Sequence, residues 1–497
     1  MNKTADLEKV NSTSDESTLK NYDEALRFIN EKKSLDEQIK VEKRTMDSKL
    51  MWKIDLCLIP VMCMIYFLQF LDKTLINYAA VMGIKKNLKG NEFANLATIF
   101  YAAYIFFEPM NSYLLQKLPL AKFLSFTIIA WGIIVACHSA CHTYASLMIV
   151  RTLLGAFEGP VAVCLIAISG MYWDHKQQLR RMGLWSIQAG TGSIIGGLLS
   201  FAFQHIENKT FQSWQIFFLV IGVITFFFGI FTWFYLPDNP TKAWFLTEEE
   251  KMIVIEHVRN NQTGVENKIF KKEQIMELLF KDKHTWPMFF LTIVSQICTG
   301  AISTFSVTII KTFGFSNKVS ALAQMPAGAA VIICILMATY ICAHFGHRTL
   351  IFISMCIPSI VGYIVMISSK DRIGNLLSVY LLSSGSCVIT LIYSWNNTNT
   401  AGYTKRIGRN CMTMIAFAVG CLIGPQLFRD QDYPRYIPAK ITLLVTMVVS
   451  ILLVIVVALI SRFENQKKER AEAMELPENY EFLDMTDLQN PNFRYAY

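Results

Sequence analysis

The feature that most constrains this chain is the repetition of long apolar runs, each near the ~20 residues that cross a bilayer as a helix. These runs lie at 52–80, 93–115, 120–141, 144–172, 182–204 and 214–236, then at 286–312, 320–343, 349–368, 374–399, 409–427 and 439–461. A water-soluble domain has no use for so many, and the composition agrees: 53% of the 497 residues are hydrophobic and 17% charged, against about 25% charged in a soluble chain. The fold class expected is all-α integral membrane, with twelve transmembrane helices. Residues 1–51 form a polar tail without a basic stretch leading into a short apolar one, so no cleaved signal is expected there. The domains read as that tail, a six-helix bundle over 52–236, a central loop over 237–285, a second bundle over 286–461, and a tail over 462–497. Two bundles of six facing each other across a long loop suit a transporter that alternates access to a midplane site.

Lys and Arg near the helix ends set the orientation. Lys40, Lys43, Arg44, Lys49, Lys176, Arg180, Arg181, Lys405, Arg406 and Arg409 fall on the side of both tails, which is therefore expected to be cytosolic. Asn208-Lys-Thr210 then lies outside as a glycosylation acceptor pattern. In the central loop, Thr247-Glu-Glu-Glu250 has the form of a capping box that opens a helix to about Asn260. A second amphipathic stretch, Ile269–Phe280, fits either a membrane-surface helix or a packed cytosolic one. The net charge of +8 speaks to this topology and to anionic lipid; no nucleic-acid-reading motif accompanies it. The twelve cysteines sit in or beside the apolar runs, where they act as small apolar residues, and suggest no disulfide framework. Cys137-His138-Ser-Ala-Cys141-His142 matches no metal-ligand spacing, so neither metal nor cofactor is expected. No P-loop, Gly-x-Ser-x-Gly or His-Glu-x-x-His is present, and nothing assembles a nucleophile, base and orienting group; the chain is not expected to be an enzyme.

A charge in mid-membrane costs about 2.5–3.5 kcal/mol on insertion scales, so each one calls for a reason. In helix 1, Gln69, Asp72, Lys73 and Asn77 form a polar stripe, with an acid and a base toward one cavity. Asp72 then reads as a proton carrier or as half of a structural ion pair. In helix 4, Arg151, Gly155 and Glu158 share a face ahead of Gly159-Pro160, making Glu158 the second proton-coupling candidate and Arg151 its neutraliser or an anchor. Glu108-Pro109 in helix 2 reads as packing or gating. Asn397 in helix 10 and Gln188 in helix 5 are candidates for the substrate cavity with Lys73 and Asn77, while Gly192, Gly196 and Ser200 read as helix packing.

Several motifs together resemble one known group. They are Trp52-Lys-Ile-Asp55 leading to Asp72-Lys73, Arg151-x-x-x-Gly155-x-x-Glu158, Leu236-Pro-Asp-Asn-Pro240 and Trp244-Phe-Leu-Thr-Glu-Glu-Glu250. Later come Trp395-Asn-Asn-Thr-Asn-Thr-Ala-Gly-Tyr-Thr-Lys-Arg406, Ile423-Gly-Pro-Gln-Leu-Phe428, Pro434-Arg-Tyr436 and the terminal Asn490-Pro-Asn-Phe-Arg-Tyr495. From about Trp52 onward the chain resembles the fungal allantoate permease family, anion:cation symporters of the major facilitator superfamily. That resemblance implies the major facilitator fold and proton-coupled uptake of a small organic anion at the plasma membrane, by a chain expected to be monomeric. By similarity Asp72 and Glu158 carry protons, and Lys73 stands where an Arg usually meets the anion, with a point charge in place of a bidentate fork. The segment Gln116–Lys122 lacks the usual Gly-x-x-x-Asp-x-x-Gly-Arg pattern, and Phe345-Gly-His-Arg348 is a degenerate copy. The alternative is a nutrient-sensing receptor of transporter fold, suggested by the long tails and central loop.

Overall fold

The computed structural model describes residues 46–206, 212–259, 269–369, 371–433, 435–470 and 484–497. Its membrane helices are α1 Ser48–Met82, α2 Glu92–Lys117, α3 Leu120–Ala140, α4 Tyr144–Tyr172, α5 His175–Phe203 and α6 Ser213–Tyr235. The second six are α7 Thr285–Thr312, α8 Asn317–Phe345, α9 Arg348–Ser368, α10 Arg372–Thr398, α11 Tyr403–Gln426 and α12 Ile437–Arg470. Eleven are long and apolar enough to cross a membrane on those grounds alone. The other, α2, carries Asn95, Glu108, Asn111 and Gln116 among its apolar residues and packs between the bundles, against α4 and α11. Because the number of spans is even, α1 begins and α12 ends on one face, here called the tail side; the opposite face is the far side. Side chains such as Phe227, Phe234, Leu452 and Leu459 are largely exposed on the outside of α6 and α12, where a bilayer supplies their solvent.

Small residues set how closely the helices approach. On α4, a Cβ at Gly155 would stand 2.2 Å from the Phe100 carbonyl oxygen of α2. Between bundles, Gly190 of α5 and Gly328 of α8 lie against each other's backbone, where added Cβ atoms would meet carbonyl oxygens at 2.3 and 2.5 Å. The bundles meet along this α5–α8 seam and along α2–α11. Hydrogen bonds join them at both ends. On the far side Asn77 donates to Ser306 at 2.9 Å and Gln426 to Thr98 at 2.6 Å; on the tail side Asn397 donates to Gln178 at 2.8 Å and Gln116 to Thr404 at 2.9 Å.

The tail side is more elaborate than hydropathy suggests. The Thr247 capping box forms, with Thr247 N donating to Glu250 Oε2 at 2.8 Å and Glu250 N to Thr247 Oγ1 at 3.3 Å, and the helix runs Glu248–Arg259. The second amphipathic stretch folds as a helix, Lys272–Phe280, that packs on α11 through Gln274 and Leu278. Of the two readings left open, packing describes this inner face, while Met276 and Phe280 are exposed. Residues 484–497 lie on the same surface. Asn465 of α12 donates to the Tyr495 carbonyl and accepts from its N–H, both at 2.8 Å, while Asn399 holds Ala496 in the same two-way manner. The residues 1–45, the Asn208-Lys-Thr210 pattern and the stretches 260–268 and 471–483 lie outside the described residues. Helix ends depart from the hydropathy boundaries mainly here: α5 begins at His175, α11 at Tyr403, and α12 runs to Arg470, because polar first and last turns still find partners beyond the apolar core.

At the centre of this surface Lys405 is wholly buried, with Asp487 at 2.7 Å, Glu277 at 3.0 Å and Asp282 at 3.2 Å, and Arg409 also binds Asp282. Burial alone would raise the Asp282 carboxyl, but Arg409, a hydrogen bond with His284 and the charge of Lys405 hold it well below the usual carboxylate range. Its folded-state pKa thus lies below the value of about 3.9 for an unfolded Asp. The stabilisation is complete at neutral pH and is lost only as pH falls below about 4, through that lower folded-state value. Lys405→Met leaves three carboxylates short of their shared cation and is expected to cost about 3–5 kcal/mol, read as a lower melting temperature in detergent at neutral pH.

Candidate functional site

The charged residues of α1 and α4 converge inside the first bundle. Lys73 Nζ lies 3.3 Å from Glu158 Oε1, with Glu158 fully buried and the lysine side chain 15% exposed. Asp72, also fully buried, accepts a hydrogen bond from the Trp131 indole of α3 at 2.9 Å. The Asp72 and Glu158 carboxyls are neighbours here, with Asp72 Oδ1 making no hydrogen bond. Arg151, 4% exposed, lies over the Phe218 ring of α6. Two acids and two bases therefore share one buried region, in which Lys73 of α1 pairs with Glu158 of α4 while Arg151 of α4 packs on the Phe218 ring.

The break in α4 explains how this is positioned. Pro160 has no N–H and cannot bond to the carbonyl four residues back, at Ala156. Asn111 of α2 supplies that hydrogen bond instead, at 2.9 Å. Gln69 Nε2 donates to the Glu158 carbonyl at 3.3 Å and the Tyr104 hydroxyl to that of Gly159 at 2.9 Å. Broken helices are tolerated in membranes where neighbours re-satisfy the backbone in this way. Side chains of α1 and α2 thus fix the turn that presents Glu158, whose carboxyl oxygens make no further hydrogen bond.

The candidate residues fall into three places. Asp72, Lys73, Arg151 and Glu158 make the central cluster, and Lys73 Nζ also stands 5.3 Å from the Phe417 ring centre of α11, so the lysine faces the second bundle. Asn77 and Asn397 belong to the far-side and tail-side closures described above. Gln188 is half-buried on α5 beside Cys63. Glu108 is fully buried, its Oε1 accepting from Ser112 at 3.3 Å. Trp131 was not singled out by sequence. Its signal was there: a tryptophan deep within an apolar span, away from the interfacial belts, has an indole N–H that must find an acceptor.

Comparison with known proteins gives this geometry its setting. The Major Facilitator Superfamily model matches residues 62–425. The chain belongs to that superfamily. The thiamine pathway transporter of Saccharomyces cerevisiae is 56% identical over 451 residues, 90% of this chain and 86% of that protein. The allantoate permease of the same organism is 32% identical over 494 residues, 95% of this chain and 90% of that protein, in keeping with the resemblance expected from the motifs. In fold, a bacterial homologue of the human lysosomal transporter Spinster, crystallised inward-facing and unoccupied, aligns with TM-score 0.55 and 12% identity over 83% of this chain and 96% of that one. This major facilitator protein is a multi-pass membrane transporter and not an enzyme.

Trp131→Phe keeps the ring volume but removes the donor to Asp72. A hydrogen bond to a charged group contributes about 1.5–3 kcal/mol, and a loss of that size is expected in detergent melts. In a double-mutant cycle with Asp72→Asn the two losses should fall short of additivity.

Proposed function

We propose that this transporter couples uptake of a small organic anion to protons, with Asp72 and Glu158 holding the proton and Lys73 receiving the anion. The observation that carries this reading is the Lys73–Glu158 ion pair, buried beside Asp72 and turned toward the second bundle. A proton taken by the Asp72/Glu158 pair removes the charge that holds Lys73. The freed ammonium then needs a counter-ion in a region without water, and an anionic cargo supplies it. Departure of the anion restores the Lys73–Glu158 pair and expels the proton, so empty, proton-loaded and anion-loaded states are linked by one charge requirement. Arg151 and Trp131 steady Asp72 throughout. Gln188, beside Cys63 of α1, is assigned to the same cavity in this reading, while Asn77 and Asn397 seal its two ends. A lysine presents a single point charge, so a sulfonate suits it as well as a carboxylate.

The tail side is the cytosol in this reading, supported by the Lys and Arg gathered there, and the plasma membrane is the site of uptake. The cargo class includes carboxylates such as allantoate or ureidosuccinate, carboxylate vitamins, cysteine and sulfonates. The relationship to a thiamine pathway transporter adds thiamine-related solutes to the panel to be tried.

The test is uptake of labelled allantoate, ureidosuccinate, nicotinate, pantothenate, taurine, cysteine and thiamine by cells lacking and re-expressing the protein, with external pH recorded. An anionic solute entering with alkalinisation of the medium is expected. Asp72→Asn and Glu158→Gln should each abolish the alkalinisation. Lys73→Met, which removes a charge-assisted contact of about 1.5–3 kcal/mol, should raise KM roughly tenfold to 100-fold. Uptake that stays equally coupled in both acid variants would overturn the proposal.

A further inference from the structure

One membrane-embedded acid is left without a task by this scheme. Glu108 of α2 is fully buried, with Ser112 on Oε1 and no hydrogen-bond partner for Oε2. The titratable groups facing it are Tyr104 on its own helix, Cys164 on α4, Tyr393 on α10 and Cys411 on α11. All are uncharged acids at neutral pH, and among the described residues no lysine or arginine forms an ion pair with Glu108. An acid kept at this depth without a counter-ion costs about 2.5–3.5 kcal/mol on insertion scales, whereas packing alone would be served by a leucine or glutamine. The group reads as one retained for its proton.

Its position says where that proton comes from. Glu108 lies against the α4 break: a Cβ at Gly159, the residue after Glu158, would stand 2.9 Å from Glu108 Oε2, so the glycine leaves room for the carboxyl. Tyr104, one turn before Glu108 on α2, donates to the Gly159 carbonyl at 2.9 Å. The two acids thus flank one turn of α4. Glu158 looks toward Lys73, while Glu108 reaches Gly159 from α2, the helix that forms the seam with α11. About two turns further along α2 that seam is fastened at the tail side by Gln116 and Thr404.

We propose that Glu108 is a second proton station, receiving the proton from the Asp72/Glu158 pair across the Gly159 break and releasing it on the tail side when the seam parts. In the transfer the O–H bond at Glu158 breaks and one at Glu108 Oε2 forms, the proton crossing the break by way of water. No electrons are exchanged, and the Glu158 carboxylate left behind is taken up by Lys73. When Gln116 separates from Thr404, Glu108 meets water and the proton leaves. This deepens the proton-coupled reading above and rests on it.

Two measurements test the proposal, with Glu108→Gln and the conservative Glu108→Asp. The first needs no cargo: infrared titration of the purified protein in lipid, followed in the carbonyl band of protonated carboxyls. A component present at acid pH, lost on alkalinisation and missing from Glu108→Gln but retained by Glu158→Gln, is expected; a band identical in wild type and Glu108→Gln would overturn the proposal. The second uses proteoliposomes with labelled allantoate and labelled thiamine, comparing accumulation driven by a pH gradient with exchange in its absence. Glu108→Gln should lose gradient-driven accumulation roughly tenfold or more while still exchanging, and Glu108→Asp should recover part of it. Loss of both activities in Glu108→Gln without recovery by Glu108→Asp would mark a structural role and overturn the proposal. A wild type that exchanges cargo but never accumulates it would overturn the proton-coupled reading, and the relay with it. A coupled wild type matched by an equally coupled Glu108→Gln would overturn the relay alone.

Discussion

A lysine and a glutamate placed in the same apolar bundle can both keep their charges only while they face each other, and the centre of this protein is organised around that requirement. Lys73 and Glu158 sit on different helices, so their pairing fixes α1 against α4 at one level. Asp72, the next residue of α1, is held instead by the Trp131 indole of α3. The proline break that turns Glu158 toward Lys73 would leave backbone carbonyls unpaired in the membrane, and side chains from α1 and α2 meet them. Removing water makes each of these contacts mandatory; a surface ion pair of the same length would contribute little.

The contacts that hold the two bundles together are of a different kind. Asn77 with Ser306, Asn397 with Gln178 and Gln116 with Thr404 are bonds between neutral side chains, each contributing about 0.5–1.5 kcal/mol. Such contacts can be exchanged for water when one end opens. The tail-side assembly of Lys405, Arg409, Asp282 and Asp487 is charged and buried, and exposing it would cost several times more. It fastens α11, the Lys272–Phe280 helix and the C-terminal segment to one another, all within or beside the second bundle. A rocking motion between bundles can therefore break the neutral closures while each half stays intact.

Much of this was legible in the order of residues. The spans follow from the length of apolar runs, because a bilayer leaves the backbone few alternatives to a helix. The importance of Asp72, Lys73, Arg151 and Glu158 followed from the cost of charge in such runs. Boundaries were less legible where polar turns continue a helix beyond the membrane. Residues His175–Arg181 and Tyr403–Gly408 look like loops to a hydropathy count, yet they are helical because Asp174 caps one segment and Asp484 and Gln274 accept from the first N–H groups of the other. The sparse C-terminal segment carries too few aliphatic residues to make a core of its own, and its order comes from hydrogen bonds and ion pairs that the rest of the fold offers.

The sequence by itself determined that this chain crosses a membrane many times and that a few charged residues within it must matter. Both conclusions rest on transfer energies that depend on residue type and local context alone. Only the tertiary structure decided who meets whom. Lys73 turns to Glu158 and not to its neighbour Asp72, Trp131 supplies a hydrogen bond from a third helix, and Asn77 and Asn397, alike in sequence as polar residues in apolar spans, belong to opposite ends of the molecule. Pairing depends on distances between helices far apart in the chain, and these are set by packing at residues such as Gly155 and Gly159, whose effect no local pattern records.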